Sequence, residues 1–120
     1  MPINERRTIN TRKIGNHYED LALKYLCERG FVFIDRNFYS QYGEIDLIMQ
    51  KEETLHFIEI KGTSSIKSPN PLLKITTAKL EKMTKTIHIF LEKRKYYYNF
   101  CIDALAIQDN NITFIENITI

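Results

Sequence analysis

Residues 43–61 read GEIDLIMQKEETLHFIEIK, and this stretch decides the fold. In Gly43-Glu44-Ile45-Asp46-Leu47-Ile48-Met49 the period-two alternation of a strand puts Glu44 and Asp46 on one face and Ile45, Leu47 and Met49 on the other. Lys51-Glu52-Glu53 is a turn signal, and 54–61 is a second β-type run ending Phe57-Ile58-Glu59-Ile60-Lys61. There Phe57, Glu59 and Lys61 share one face while Ile58 and Ile60 fill the other. So apolar a strand reads as central, and charges on a central strand are costly unless they are paired or bound to something. Asp46 on the neighbouring strand adds a second carboxylate. Two carboxylates meeting across adjacent strands repel, and a divalent cation relieves that repulsion. A lysine beside them can orient a water or stabilise charge on a reacting phosphate. The competing structural reading is a plain Glu59–Lys61 pair with a surface Asp46.

Working outward, residues 13–29 carry Ile14, Tyr18, Leu21, Ala22, Tyr25 and Leu26 at helical spacing, with Gly30 as the natural stop. Residues 31–38 read as a strand, so three strands follow in succession with short links, as an antiparallel meander. Residues 62–71 read as a loop. The helical period returns over 72–95, where Leu73, Leu80, Met83, Ile87, Phe90 and Leu91 form one stripe. Strands at 98–107 and 112–118 flank a hairpin turn at Asp109-Asn110-Asn111. The predicted order is αβββαββ: an α/β fold with a mixed sheet of four or five strands and two packed helices. One domain spans 1–120, with 1–13 as a flexible basic N-terminal arm.

Composition narrows the function classes. Of the 120 residues, 43% are hydrophobic and 27% charged, the balance of a globular chain rather than a disordered tail. No apolar run reaches the roughly 18 residues of a membrane span, and no secretory signal follows the basic start, so the expected location is the cytoplasm without membrane association. Cys27 and Cys101 suit neither a disulfide framework nor a zinc site of usual spacing, and are expected to be small buried apolar residues. His17, His56 and His88 have no metal-ligand spacing. The tyrosines at 96–98 read as packing. The net charge of +2 hides an asymmetry: residues 14–60 carry nine acidic and four basic side chains, residues 61–95 nine basic and two acidic. A basic stretch attracts a phosphate-bearing partner, whereas carboxylates beside it repel that partner unless a cation intervenes. A solvated lysine face is the plainer reading of the same run.

The block Gly43-Glu44-Ile45-Asp46-Leu47-Ile48, followed by Phe57-Ile58-Glu59-Ile60-Lys61 and later by Ile102-Asp103, resembles the YraN-like family of small bacterial proteins. That family looks like a compact member of the PD-(D/E)XK, or restriction endonuclease-like, superfamily, and the resemblance runs from about Gly15 to Ile107. It implies a metal-dependent endonuclease hydrolysing DNA, with branched or single-stranded DNA as the expected substrates and Mg²⁺ or Mn²⁺ as cofactor. By resemblance, Asp46 and Glu59 are the acidic metal ligands and Lys61 the catalytic lysine. Glu19 on the first helix matches a further metal-site glutamate, and Lys79 matches a lysine of the second helix. Lys79 borders the buried stripe and is the lysine best placed to approach the site; Lys79 and Lys82 are the nominated nucleic-acid contacts. The chain departs from the family pattern at Tyr18, where a glycine is usual, at Lys61-Gly62-Thr63 in place of Lys-Thr-Arg, and at Cys101 in place of an arginine. The alternative from another class is a non-catalytic nucleic-acid-binding module, or an adaptor among DNA-processing proteins.

Overall fold

A computed structural model describes residues 17–63, 75–95, 99–109 and 111–118. The first helix, α1, occupies 17–27 of these. It ends where Phe31 N–H returns to the Leu26 carbonyl at 3.1 Å and Gly30 takes φ +89°, a backbone conformation that glycine adopts at least cost. Three strands follow: β1 (Val32–Ser40), β2 (Gly43–Lys51) and β3 (Thr54–Thr63). Helix α2 (Thr77–Arg94) then crosses over to β4 (Asn99–Gln108), and β5 (Asn111–Ile115) follows. The five strands lie in sequence order, with β3 and β4 parallel and every other pair antiparallel. The α/β mixed sheet and the order αβββαββ agree with the expected fold, and β3 is indeed the central strand.

The apolar pattern explains why the sheet is covered on both faces. Ala22 and Leu26 of α1 pack with Phe31, Leu47, Met49, Ile58, Leu105 and Ile107. On the opposite face Met83, Ile87 and Phe90 of α2, three and four residues apart, pack with Ile48, Leu55, Phe57 and Ile102. Phe57 and Phe90 meet edge-to-face at 5.6 Å, and both are fully buried. Burying each such side chain is worth about 1.5–3 kcal/mol. Alternation in β3 therefore holds, with Phe57 towards α2 and Ile58 towards α1. In β2 it does not hold throughout. Leu47 and Met49 face α1, but Ile45 joins the α2 cluster, so the regular period is lost beyond the last β2–β3 register pair, Leu47↔Ile58.

Several boundaries differ from those expected. Helix α2 starts at Thr77, not at residue 72, because Thr76 is its N-cap: the Thr76 hydroxyl accepts from Lys79 N–H at 3.1 Å. Leu73 lies outside the described residues, as do the basic arm 1–13 and the tyrosines 96–98. β3 continues through Gly62 and Thr63, paired with Ile107 and Gln108, so those two residues belong to the sheet rather than to a loop. β5 stops at Ile115, short of residue 118. Among the described residues no helix is long and apolar enough to cross a membrane.

Candidate functional site

Asp46 sits where β2 and β3 part. Their register ends at Leu47↔Ile58, and one step further Asp46 stands on β2 beside Glu59 on β3. The Asp46 carboxylate takes over from the ladder there by accepting Ile60 N–H at 2.8 Å. Burial, followed by the charge of Glu59, pushes the Asp46 carboxyl up to about 7. The Ile60 hydrogen bond works against that rise, while Glu44 and Glu19 add to it.

Glu59 is 3% exposed. Its Oε1 atom faces two ammonium groups, Lys61 Nζ at 3.2 Å and Lys79 Nζ at 3.4 Å. Its Oε2 atom is buried and has no hydrogen-bond partner. A buried carboxylate oxygen without a donor costs on the order of 1–3 kcal/mol or more, since charged groups lie at the upper end, so this atom asks for an explanation.

Glu19 reaches the same place from α1. Its Oε1 accepts from Arg36 Nη2 at 2.9 Å and from Asn37 Nδ2 at 3.1 Å. Burial opposes the Arg36 charge, but bonds to Glu19 and Asp20 outweigh it and raise the guanidinium pKa. Glu19, Glu44 and Asp46 each offer a carboxylate oxygen, and the three oxygens lie within 4.8 Å of one another. Glu44, not Glu59, completes that acidic triple. The spacing of Glu44 and Asp46 predicts a shared face, and their carboxylates do meet although Ile45 between them leaves the side of Leu47 and Met49. Arg36 and Asn37, which hold Glu19, carried no such signal because they come from a different strand.

Lys79 is half-buried and Lys82 exposed. Both line a groove of about 220 Å³ with Tyr42, Gly43, Glu44, Met83 and Thr86, so the groove runs from the acidic group along α2. Of the residues expected at the site, the fold gathers Asp46, Glu59, Lys61, Glu19 and Lys79 around one end of β2 and β3. Lys82 stands further out, on the groove wall.

The profile of the family described as "Uncharacterised protein family UPF0102" matches residues 18–107. A UPF0102 protein of Helicobacter hepaticus is 41% identical over 93% of this chain and 99% of its own length. One from Campylobacter hominis is 41% identical over 90% of this chain and 95% of its own, and one from Helicobacter pylori strain J99 43% over 90% and 92%. The chain belongs to the UPF0102 family. This is the YraN-like family that the motif block resembles, and the αβββαββ architecture agrees with its placement among restriction endonuclease-like folds. Two departures from the family pattern turn out to be neighbours. A Cβ added at Gly62 would lie 2.4 Å from Cγ of Tyr18, so the tyrosine ring occupies the room that a side chain at position 62 needs.

A second polar cluster lies on the other face of the sheet. His56 of β3 and Cys101 of β4 are register partners, and Asp103 is next but one along β4. His56 Nδ1 lies 2.5 Å from Asp103 Oδ2, and the Cys101 thiol donates to Asp103 Oδ1 at 3.2 Å. Burial, followed by the bond to Asp103, pushes that thiol up to about 12. The expected pair of buried apolar cysteines is therefore corrected. Cys27 is exposed, on the outer side of α1, and Cys101 is half-buried among polar groups. Sequence spacing missed His56 because its partners are 45 and 47 positions away, joined only by the β3–β4 pairing.

Proposed function

We propose that this protein is a metal-dependent nuclease that hydrolyses phosphodiesters of DNA, with Mg²⁺ or Mn²⁺ as its cofactor and branched or single-stranded DNA as its substrate. The observation that carries this reading is the buried, unpartnered Glu59 Oε2 beside a crowded Asp46. An all-oxygen donor set with one orphaned atom fits a hard divalent cation. Asp46 and Glu59 would hold it, with Glu19 as a further ligand and Glu44 beside them. When bound, such a cation offsets phosphate charge and makes water a better nucleophile.

The side chains divide the remaining work. Asp46 is fixed by the Ile60 amide, so its second oxygen keeps a defined direction. Arg36 and Asn37 hold Glu19 in the same way. Lys61, 30% exposed, is placed to orient a water and to stabilise negative charge growing on the phosphate. Lys79 holds Glu59 and, with Lys82, gives the groove the positive charge that draws in a nucleic-acid backbone. The groove is short, which suits recognition of local DNA shape over a long sequence.

One observation favours the second reading, a non-catalytic nucleic-acid-binding module or adaptor for DNA-processing proteins. Lys61 and Lys79 both engage Glu59 Oε1, so that oxygen is already neutralised by the chain's own cations. The test is cleavage of junction, flap and single-stranded DNA with Mg²⁺ or Mn²⁺, against binding in chelator, for the native chain, Asp46→Asn and Lys61→Ala. The nuclease reading expects cation-dependent cleavage lost in both variants, with Mn²⁺ affinity weakened by Asp46→Asn and kept in Lys61→Ala, since an ammonium is no ligand. Salt-dependent binding without cleavage in the native chain supports the module instead.

A further inference from the structure

We propose that His56, Cys101 and Asp103 form a second metal site, selective for a borderline-soft divalent cation such as Zn²⁺ and separate from the carboxylate centre. His56 Nδ1, Cys101 Sγ and an Asp103 oxygen all lie within 4.8 Å of one another. Sulfur, imidazole nitrogen and carboxylate oxygen together are the donor types of zinc, while Mg²⁺ takes oxygen.

The spacing is close to that of a coordination sphere. Zinc bonds of about 2.3 Å to sulfur and about 2.0–2.1 Å to nitrogen or oxygen give tetrahedral ligand–ligand edges of roughly 3.3–3.6 Å. Cys101 Sγ lies 3.2 Å from His56 Nδ1 and 3.2 Å from Asp103 Oδ1. His56 Nδ1 lies 2.5 Å from Asp103 Oδ2, a shorter edge that a bound cation would widen. On binding, the Cys101 thiol gives its proton to solvent, and the neutral imidazole carries its one proton on Nε2, which leaves the Nδ1 lone pair for the cation.

The surroundings preorganise the ligands. Asp103 is 0% exposed, and its Oδ1 is held by Asn117 N–H at 2.8 Å. Phe31 packs edge-on against the His56 ring at 5.0 Å and limits its rotation. The half-buried Cys101 leaves an approach from solvent. Three protein ligands leave a fourth position to water. The site would join β3 to β4, the one parallel pair in the sheet. It lies on the α1 face, whereas Glu59 follows Phe57 towards α2.

The probe is Co²⁺, then Zn²⁺, added to the full chain carrying Cys27→Ser, which removes the exposed thiol. A thiolate-to-cobalt charge-transfer band should appear at one equivalent, disappear on Zn²⁺ addition, and be absent when Cys101→Ser is added. Serine keeps a hydroxyl donor for Asp103, so the fold has what it needs. His56→Gln should weaken Co²⁺ binding at least tenfold. A readout without any change in the cluster is alkylation of Cys101, which Zn²⁺ should slow at least tenfold. Absence of the band, its persistence after Cys101→Ser, or an unchanged alkylation rate overturns the proposal. Asp46→Asn should leave the band intact, so this outcome is independent of the nuclease reading.

Discussion

Asp46→Asn provides a thermodynamic test of the carboxylate centre that needs no substrate. The side chains are nearly isosteric, and the amide oxygen can still accept Ile60 N–H, so packing and the backbone bond survive. What changes is the charge. Below about pH 4 the aspartate is neutral in both the folded and unfolded chain and contributes nothing to the difference. Between about 4 and about 7 the folded chain keeps a proton that the unfolded chain has released, so stability falls as pH rises; above about 7 the whole cost is present. A carboxyl moved from its usual 3.8 to about 7, at ~1.4 kcal/mol for each factor of ten, sets a ceiling of about 4 kcal/mol. Asparagine carries no charge at any of these pH values. In chelator the variant should therefore match the native chain near pH 4 and exceed it progressively up to pH 8, by as much as about 4 kcal/mol. Urea unfolding of both proteins from pH 4 to 8.5 measures the difference, and comparison removes groups that titrate alike in both. Mn²⁺ at pH 8 should then close the gap by stabilising only the native chain. A stability difference that stays flat with pH would refute the claim that Asp46 is crowded by burial and by Glu59, and the motive for a cation would go with it.

Lys79→Ala should lower the slope of log affinity against log salt for duplex DNA by roughly 0.9, measured by fluorescence anisotropy, with the loss spread evenly over sequences. Arg36→Ala removes the charged one of the two donors that hold Glu19 and should weaken Mn²⁺ binding by roughly ten- to a hundredfold in calorimetry, while leaving Asp46 in place. Gly62→Ala drives a methyl group into the Tyr18 ring and should cost about 1–3 kcal/mol in thermal or urea unfolding. Tyr18→Ala added to it should recover part of that loss, because the clash needs both side chains.

Much of this was legible because it is local. The two-residue period of 54–61 marked β3 as central and set the face of Glu59, and the short links placed the first three strands side by side. The stripe Met83, Ile87, Phe90 marked the buried side of α2, and its edge marked Lys79 as the lysine of that helix best placed to approach the carboxylates. What the sequence withheld depends on pairs of distant residues. No spacing rule brings Arg36 to Glu19, or His56 to Cys101 and Asp103, because each contact is made between different elements whose packing periodicity does not specify. The start of α2 is a smaller case. Apolar periodicity runs back past Thr76, but a threonine hydroxyl bonded to Lys79 N–H ends the helix there whatever the period allows.

The departures from the family pattern also read differently once they are placed in space. From the sequence, Tyr18 and Gly62 are two unconnected departures, one on the first helix and one in the loop expected after Lys61. In the fold they are one exchange of bulk across the α1–β3 contact, with the ring filling the space that the strand gives up. Tyr18 precedes Glu19 and Gly62 follows Lys61, so this contact ties the helix that carries one acidic group directly to the strand that carries the lysine. A ring pressed against backbone tolerates less movement than two flexible side chains would, since interiors are close-packed and transmit strain. The absence of a side chain at position 62 thus lets α1 sit close against β3 beside Lys61, and Gly62→Ala should push the Tyr18 ring, and the helix that carries Glu19, away from the strand.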